Sequence, residues 1–203
     1  MATLDDILTT QKNGVVAINN LSQALNSFYT SYQYLSGEST SGSVTSTTAR
    51  TVARGAGRFV SYTTAAISTS TAGLVYDSVS YATTSASGTG TTATIGYAGV
   101  NAFVAGDRVA IYNMTPSGYN TTSATITNVN TTNNTFDYLN ATTGAQTVAG
   151  IVVKIYDVTT DRNLLLSSLS GVLGTYPVNA NFIYGLVVIP ASGQYVNITY
   201  SLS

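Results

Sequence analysis

The N-terminal stretch LDDILTTQKNGVVAINNLSQALNSFYTSYQYL, residues 4–35, carries apolar side chains every three to four residues. With Leu4 at position a of a heptad, eight of the ten a and d positions are apolar or aromatic. A repeat of this kind, sustained over about 4.5 heptads, is typical of a coiled coil. The predicted oligomer interface consists of Leu4, Ile7, Ile18, Leu21, Leu25, Phe28, Tyr32 and Leu35.

Several residues refine this prediction. Thr3 is a suitable helix N-cap, and Asp5 and Asp6 follow it in the first turn, where the helix dipole favours negative charge. Gln11 at an a position and Gly14 at a d position interrupt the seam, and a polar a residue commonly sets register and strand number. The e and g positions carry almost no charge, which favours self-association. The alternative is an amphipathic helix packed on the protein's own β domain.

The overall composition excludes most site chemistry. The 203 residues include seven Lys and Arg and eight Asp and Glu, giving a formal net charge of −1, with no His and no Cys. Without imidazole or thiolate, neither a Ser-His-Asp triad nor a His- or Cys-ligated zinc is available. A nucleic-acid binder needs a basic face, and no apolar run reaches the length of a membrane span. We therefore expect a non-enzymatic protein without catalytic residues, cofactor or metal, and without a nucleic-acid or membrane partner.

Residues 1–36 form the predicted helical domain. The rest of the chain divides into segments that differ in composition. Residues 37–55 are rich in Ser, Thr and Gly, which predicts a linker arm. From Gly57 onward, short runs of β-branched and aromatic residues alternate with Gly, Asn, Ser and Pro, as strands and turns do. Two similar runs, 73–77 and 153–157, both end in Tyr-Asp and flank a region richer in turns.

This pattern predicts a mainly β protein with an N-terminal α-helix. We expect residues 83–150 to be a small β domain inserted into a β-sandwich host domain made of residues 56–82 and 151–203, because exposed loop tips tolerate insertions. Residues 163–173 are either a short helix or a loop. The predicted strands are 58–62, 65–70, 73–77, 92–95, 108–112, 123–129, 135–138, 151–156, 182–188 and 195–201.

Three arginines at a spacing of four, Arg50, Arg54 and Arg58, lie where the arm meets the β region. One interpretation is that they are solvated charges at the start of a domain. The other is that they contact an acidic neighbouring subunit.

The carboxylates and tyrosines leave alternatives open. Asp77 and Asp157 would suit a glycosidase only if their two Tyr-Asp strands pair, since that chemistry needs two carboxyl groups within about 5–9.5 Å; otherwise both cap turns at strand ends. Asp157 and Asp161 form a weak candidate for Ca²⁺. Tyr29, Tyr32 and Tyr34 suit an interface between subunits. The tyrosines of the predicted insert either stack on a glycan or pack in a core, and they are Tyr97, Tyr112 and Tyr119.

The region 83–150 resembles a small β module that recurs in bacteriophage tail and virion proteins. The order of its elements carries the resemblance: an apolar residue, a Gly-Asp turn, a Val-x-Ile strand, a Tyr-Asn step, a Val-rich strand and Phe-x-Tyr. These are Phe103, Gly106-Asp107, Val109, Ile111, Tyr119-Asn120-Thr121, Ile126, Val129 and Phe136-Asp137-Tyr138.

The host region and the N-terminus resemble short virion proteins of tailed phages. The matching stretches are Leu4 to Leu8, Asn13 to Asn19, Gly57-Arg58-Phe59, Gly73 to Asp77, Gly174 to Val178, Gly185 to Val188 and Pro190 to Gln194. The resemblance implies a structural protein on the virion surface that decorates the capsid or forms a head fibre, and we expect it to be a homotrimer. Its partners would be copies of itself and the major capsid protein or other virion subunits. The alternative is a tail-fibre or receptor-binding module that contacts a host glycan.

Overall fold

A computed structural model describes residues 3–36, 40–45, 49–67 and 72–203 of the chain. The described residues form one long helix followed by strands, so the prediction of a mainly β protein with an N-terminal helix is confirmed. The helix α1 spans Leu4–Ser36. The strands are β1 (Thr40–Val44), β2 (Arg50–Arg54), β3 (Gly57–Ala66), β4 (Leu74–Asp77), β5 (Ser80–Thr89), β6 (Thr92–Tyr97), β7 (Arg108–Tyr112), β8 (Thr121–Asn130), β9 (Thr135–Leu139), β10 (Thr143–Ala145), β11 (Ile151–Asp157), β12 (Arg162–Asn163), β13 (Leu165–Ser168), β14 (Gly174–Phe182), β15 (Gly185–Ile189) and β16 (Tyr195–Leu202).

The first turn of α1 is capped as the sequence predicts. Asp6 N donates to Thr3 Oγ1 at 3.2 Å, and Thr3 N donates to Asp6 Oδ2 at 2.9 Å. These reciprocal bonds satisfy backbone donors that no helical carbonyl reaches, as in a capping box. The hydrogen bonds from Thr3 also lower the pKa of the exposed Asp6 carboxyl.

The central part of the chain closes into an antiparallel barrel. Its strands follow the order β5-β6-β9-β8-β7-β11, and β11 pairs again with β5 to complete the ring. Strands β10 and β12 extend from β5 and β11. Closure leaves the barrel with few unpaired strand edges.

Aromatic rings fill the barrel interior. The rings of Tyr97 and Phe103 meet edge to face with centroids 4.8 Å apart, and Phe103 and Phe136 do so at 5.3 Å. Edge-to-face pairs add stabilisation beyond the burial of their area. Beside Phe103, the predicted Gly-Asp turn is present, and Gly106 has a φ of +96° that an L side chain rarely adopts.

Two four-stranded antiparallel sheets form the rest of the β region. One has the order β1-β16-β3-β14 and the other β13-β4-β15-β2. Residues of both sheets contribute to one hydrophobic cluster, including Phe59, Val75, Leu186 and Ile198. Gly57 is required by its neighbours, because a Cβ there would lie 2.2 Å from the Ser201 carbonyl oxygen.

A further cluster joins the barrel to the second of these sheets. Tyr76 and Val187 of β4 and β15 are buried together with Ala110 and Val153 of β7 and β11. The barrel strands run from Ser80 to Asp157, so β5 begins before residue 83 and the whole of β11 lies beyond residue 150. The division into an inserted domain and a host domain stays a prediction.

The structure differs from the expectation of a linker arm at residues 37–55. Thr40–Val44 pairs with β16, and Arg50–Arg54 pairs with β15, so both described parts of this segment belong to sheets. The physical reason is that both strands lie at sheet edges, where one side chain in two faces solvent. An edge strand that is rich in Ser and Thr therefore cannot be told from a spacer by its composition.

Other strand predictions also need correction. The predicted strand 182–188 is two strands, because β14 ends at Phe182 and β15 begins at Gly185. Residues 163–173 contain neither a helix nor a plain loop, since they include β13. Part of the predicted strand 65–70 lies outside the described residues.

Candidate interaction surface

The apolar seam of α1 is exposed in the single chain. Every residue from Thr3 to Tyr29 is classed as exposed, including Ile18, Leu21 and Leu25 at 67%, 60% and 58%. Leu4, Ile7 and Phe28 of the predicted interface are exposed as well, and the side chains of Tyr32 and Leu35 lie outside the described residues. This exposure counts against the alternative of a helix packed along the protein's own β domain.

The exposed seam offers a burial free energy of the same order as the cost of association. Fully burying one large aliphatic or aromatic side chain stabilises by about 1.5–3 kcal/mol. The six described seam residues together therefore offer on the order of 10 kcal/mol, comparable to the ~4–15 kcal/mol that association costs in lost freedom. Leu8 and Val15, at e positions beside the seam, are also exposed and widen its apolar surface on one side.

Gln11 and Gly14, which interrupt the seam, are exposed too. A Cβ added at Gly14 would meet no atom within 4 Å in the single chain. The glycine is therefore not required by any contact within this chain, and it leaves space for the close approach of another helix at that level.

The three arginines that are candidates for contact with a neighbouring subunit lie on two different sheets. Arg50 and Arg54 are exposed at the two ends of β2, about 13 Å apart at the usual strand rise. Arg50 donates from Nη1 to the Ser43 carbonyl oxygen at 3.1 Å. Arg58 is half-buried on β3, in the other sheet. The spacing of four therefore does not align the three side chains along one strand.

The two Tyr-Asp strands do not pair with each other. β4 pairs with β13 and β15, whereas β11 pairs with β5, β7 and β12. The strand pairing on which the glycosidase interpretation depended is therefore absent, and the two carboxylates cap different turns.

Asp77 is a fully buried cap at the end of β4. Its Oδ1 accepts from Ile183 N and Tyr184 N, both at 2.8 Å, and its Oδ2 lies 2.8 Å from Arg162 Nη2. This carboxylate fixes the β14–β15 turn, and the arginine compensates its buried charge.

Asp157 caps the turn that follows β11. Its Oδ1 accepts from Thr159 N at 3.0 Å and from Thr159 Oγ1 at 2.6 Å. Burial alone would raise the pKa of Asp157, but the bonds from Thr159 and the nearby Lys154 charge bring it below the ordinary value. Asp161 accepts a hydrogen bond from the Tyr156 hydroxyl. Within residues 3–36, 40–45, 49–67 and 72–203, no group of three side chains is placed to hold a metal ion.

Asp107 forms a buried ion pair that the sequence did not reveal. Its Oδ2 lies 2.7 Å from Lys154 Nζ, and it accepts backbone N–H bonds from Val104 and Val158 at 3.0 and 3.1 Å. Lys154 Nζ also lies 5.8 Å from the centre of the Phe103 ring. The pair holds the predicted Gly-Asp turn against β11.

The tyrosines of the barrel pack against other residues and are not exposed on its surface. Tyr97 and Tyr119 are buried, and Tyr112 is half-buried. The Tyr138 hydroxyl donates to the Tyr119 carbonyl oxygen at 2.7 Å inside the barrel. Of the helix tyrosines, Tyr29 is exposed, and the side chains of Tyr32 and Tyr34 are not described. Core packing is therefore what the structure shows for the tyrosines of the barrel.

One cleft lies where the barrel meets the second four-stranded sheet. Its volume is about 270 Å³, and its walls include Ser78, Tyr81, Lys154, Asp157, Leu164 and Tyr184. These residues come from four separate segments of the chain, so no motif in the sequence marks the cleft.

Comparison with known proteins returns no match: no family model, no characterised protein and no solved structure is significantly similar to the chain. Among the described residues, no helix combines the length and apolar character required to span a bilayer.

Proposed function

We propose that this chain is a non-enzymatic structural protein of a bacteriophage virion, whose helix assembles three copies into a coiled coil. The observation that carries the proposal is the exposed apolar seam of α1, with Ile18, Leu21 and Leu25 more than half exposed. A capped helix of 33 residues with such a seam needs other helices to cover it.

The β region would project from this stalk. We infer that its two four-stranded sheets pack as a sandwich, because residues of both contribute to one buried cluster. A surface kept soluble by hydroxyl and amide groups, with 7% charged residues, suits a passive coat protein.

The capsid-decorating or head-fibre role rests on the resemblance of the β region and N-terminus to phage virion proteins. In that role, Arg50 and Arg54 are the two exposed residues of the three arginines and would contact an acidic neighbouring subunit such as the major capsid protein. Arg58, half-buried, would contribute less.

Light scattering after size-exclusion chromatography tests the assembly. At micromolar concentration the protein should have three times the 21.0 kDa mass of one chain. Ile18→Asp places a charge in the seam and should reduce the mass to that of a monomer. Gln23→Asp, at an exposed f position outside the seam, is the matched control and should leave the trimer intact.

A wild-type protein that stays monomeric, or an Ile18→Asp variant that stays trimeric, would contradict the coiled coil. Immunogold labelling of virions with an antibody against this chain tests the location. Gold on the head supports the decorating role, whereas gold on the tail favours the receptor-binding alternative, and unlabelled virions overturn both.

A further inference from the structure

The cleft between the barrel and the second sheet has features of a small-molecule site. Its volume of about 270 Å³ lies near the lower end of ligand pockets, so it suits a single ring rather than an extended chain. Leu164 forms an apolar part of the wall, and Asp157 and Lys154 supply polar groups. Mostly apolar walls with a few placed polar groups are typical of ligand sites.

Tyr184 is held rigidly at this cleft. Its N–H donates to Asp77 Oδ1 at 2.8 Å, and its carbonyl oxygen accepts from Gly55 N at 3.1 Å. The side chain nevertheless remains 40% exposed. A ring displayed on a fixed turn is a preorganised contact, because little freedom is lost when a ligand packs on it.

Hydrogen-bonding groups lie beside this ring. The Tyr184 hydroxyl donates to Asp157 Oδ2 at 3.3 Å, a long bond that leaves this oxygen able to accept another donor. Lys154 Nζ is positioned by its ion pair with Asp107 Oδ2, and an ammonium group has three donors. An acceptor and a donor therefore line the same cleft as the aromatic ring.

The charges of the cleft select against an anion. Two charged residues line the cleft, Lys154 and Asp157, and the charge of Lys154 is already compensated by its ion pair with the buried Asp107. An anionic ligand would meet net repulsion. A neutral ligand with one apolar face and a rim of hydroxyl groups matches the ring, the carboxylate and the ammonium together.

We propose that this cleft binds a neutral pyranose sugar. The apolar face of the sugar ring packs on Tyr184, and its hydroxyl groups bond to Asp157 and Lys154. This proposal goes beyond the structural role and does not depend on trimer formation.

Protein NMR on the full-length chain tests the proposal. The probes are the methyl glycosides of glucose, galactose, mannose and N-acetylglucosamine at millimolar concentration, with N-acetylneuraminic acid as the anionic comparison. At least one neutral glycoside should shift amide resonances of residues around the cleft, and the acid should not.

Tyr184→Ala should weaken that binding by about tenfold or more, since about 1.4 kcal/mol of ring contact corresponds to a factor of ten. Ile183→Ala is the matched control, because Ile183 lies on the same turn, is 57% exposed and does not line the cleft. It should bind as the wild type does. The proposal is overturned if none of the four glycosides shifts the cleft resonances, if the acid binds as well as they do, or if a folded Tyr184→Ala variant retains full affinity.

Discussion

The helix and the barrel use apolar side chains in opposite ways. Ile18 of α1 is 67% exposed, whereas Ile95 of β6 is completely buried. Both belong to regular patterns, one with a helical repeat and the other in a strand. The barrel closes on itself and covers its own interior, but a lone helix has no second surface. Periodicity therefore tells which side chains share a face, and topology decides whether one chain is enough to bury that face.

The largest effect is expected from a substitution inside the barrel. Phe136→Ala removes a buried ring that packs against Phe103, and such a change typically costs about 3–5 kcal/mol of unfolding free energy. Leu21→Ala also truncates a large apolar side chain, but on α1, where the residue is 60% exposed, and it should leave the unfolding of the β region unchanged. Urea unfolding followed by near-UV circular dichroism measures both, and equal losses would show that the contrast is wrong.

Alkaline pH should also destabilise the β region, through two tyrosines of the barrel. Burial, together with the neighbouring Tyr119, raises the pKa of Tyr138 to about 12, and burial with Tyr76 raises that of Tyr112 to about 12. The neutral rings therefore stabilise the fold fully below the ordinary pKa of 10.0, and this contribution is lost as pH rises from 10 towards 12.

Tyrosinate absorbance and near-UV circular dichroism, recorded through the same titration, check this expectation. The two signals should change together above pH 10, and a Tyr112→Phe, Tyr138→Phe double variant should be less sensitive to this pH range. Full ionisation of all tyrosines with an unchanged dichroism spectrum would contradict it.

A smaller effect comes from one buried hydroxyl group. Tyr138→Phe leaves the Tyr119 carbonyl oxygen without its 2.7 Å hydrogen bond and should cost about 1–3 kcal/mol. Tyr184→Phe is the control, because its longer 3.3 Å bond to Asp157 lies at a part-exposed site and its loss should cost less. Thermal unfolding compares the two variants. A greater loss of stability for Tyr184→Phe would contradict the larger contribution expected from the Tyr138 hydrogen bond.

The smallest effect is expected at the start of the helix. Thr3→Ala removes the side-chain oxygen that accepts from Asp6 N, so the first turn should fray. Far-UV circular dichroism should record a slight loss of helix, while the near-UV spectrum of the β region stays unchanged. Thr3→Ser keeps the oxygen and should restore the signal, which a general loss of stability would not allow.

Much of the fold was predictable where the local pattern was strong. Residues 4–35 were expected to be helical, and α1 spans Leu4–Ser36. Strand β7 has the predicted bounds, because Arg108–Tyr112 is bracketed by turn residues. Strands β1 and β14 were not predicted, since their Ser, Gly, Asn and Pro residues have weak strand propensity. Pairing with β16 and β3 fixes them, and that pairing is set by distant parts of the chain.

The interaction surface was predictable in part for a related reason. The seam of α1 follows from sequence spacing alone, and its described members are exposed. The cleft was not foreseen, because Ser78, Lys154 and Tyr184 meet only through long-range packing. The repeated Tyr-Asp signal suggested related roles for Asp77 and Asp157, but it could not show that their strands lie in different sheets.

The central position of β16 has a consequence for synthesis on the ribosome. β16 lies between β1 and β3, with Leu202 opposite Gly57 and Thr40 opposite Tyr200. The first sheet must therefore wait for β16, which is translated after the other three strands of that sheet, whereas every strand of the barrel has been translated by Asp157. The helix α1 is translated before both the barrel and the first sheet. Neighbouring nascent chains on one message can therefore meet through α1 while the first sheet is still incomplete.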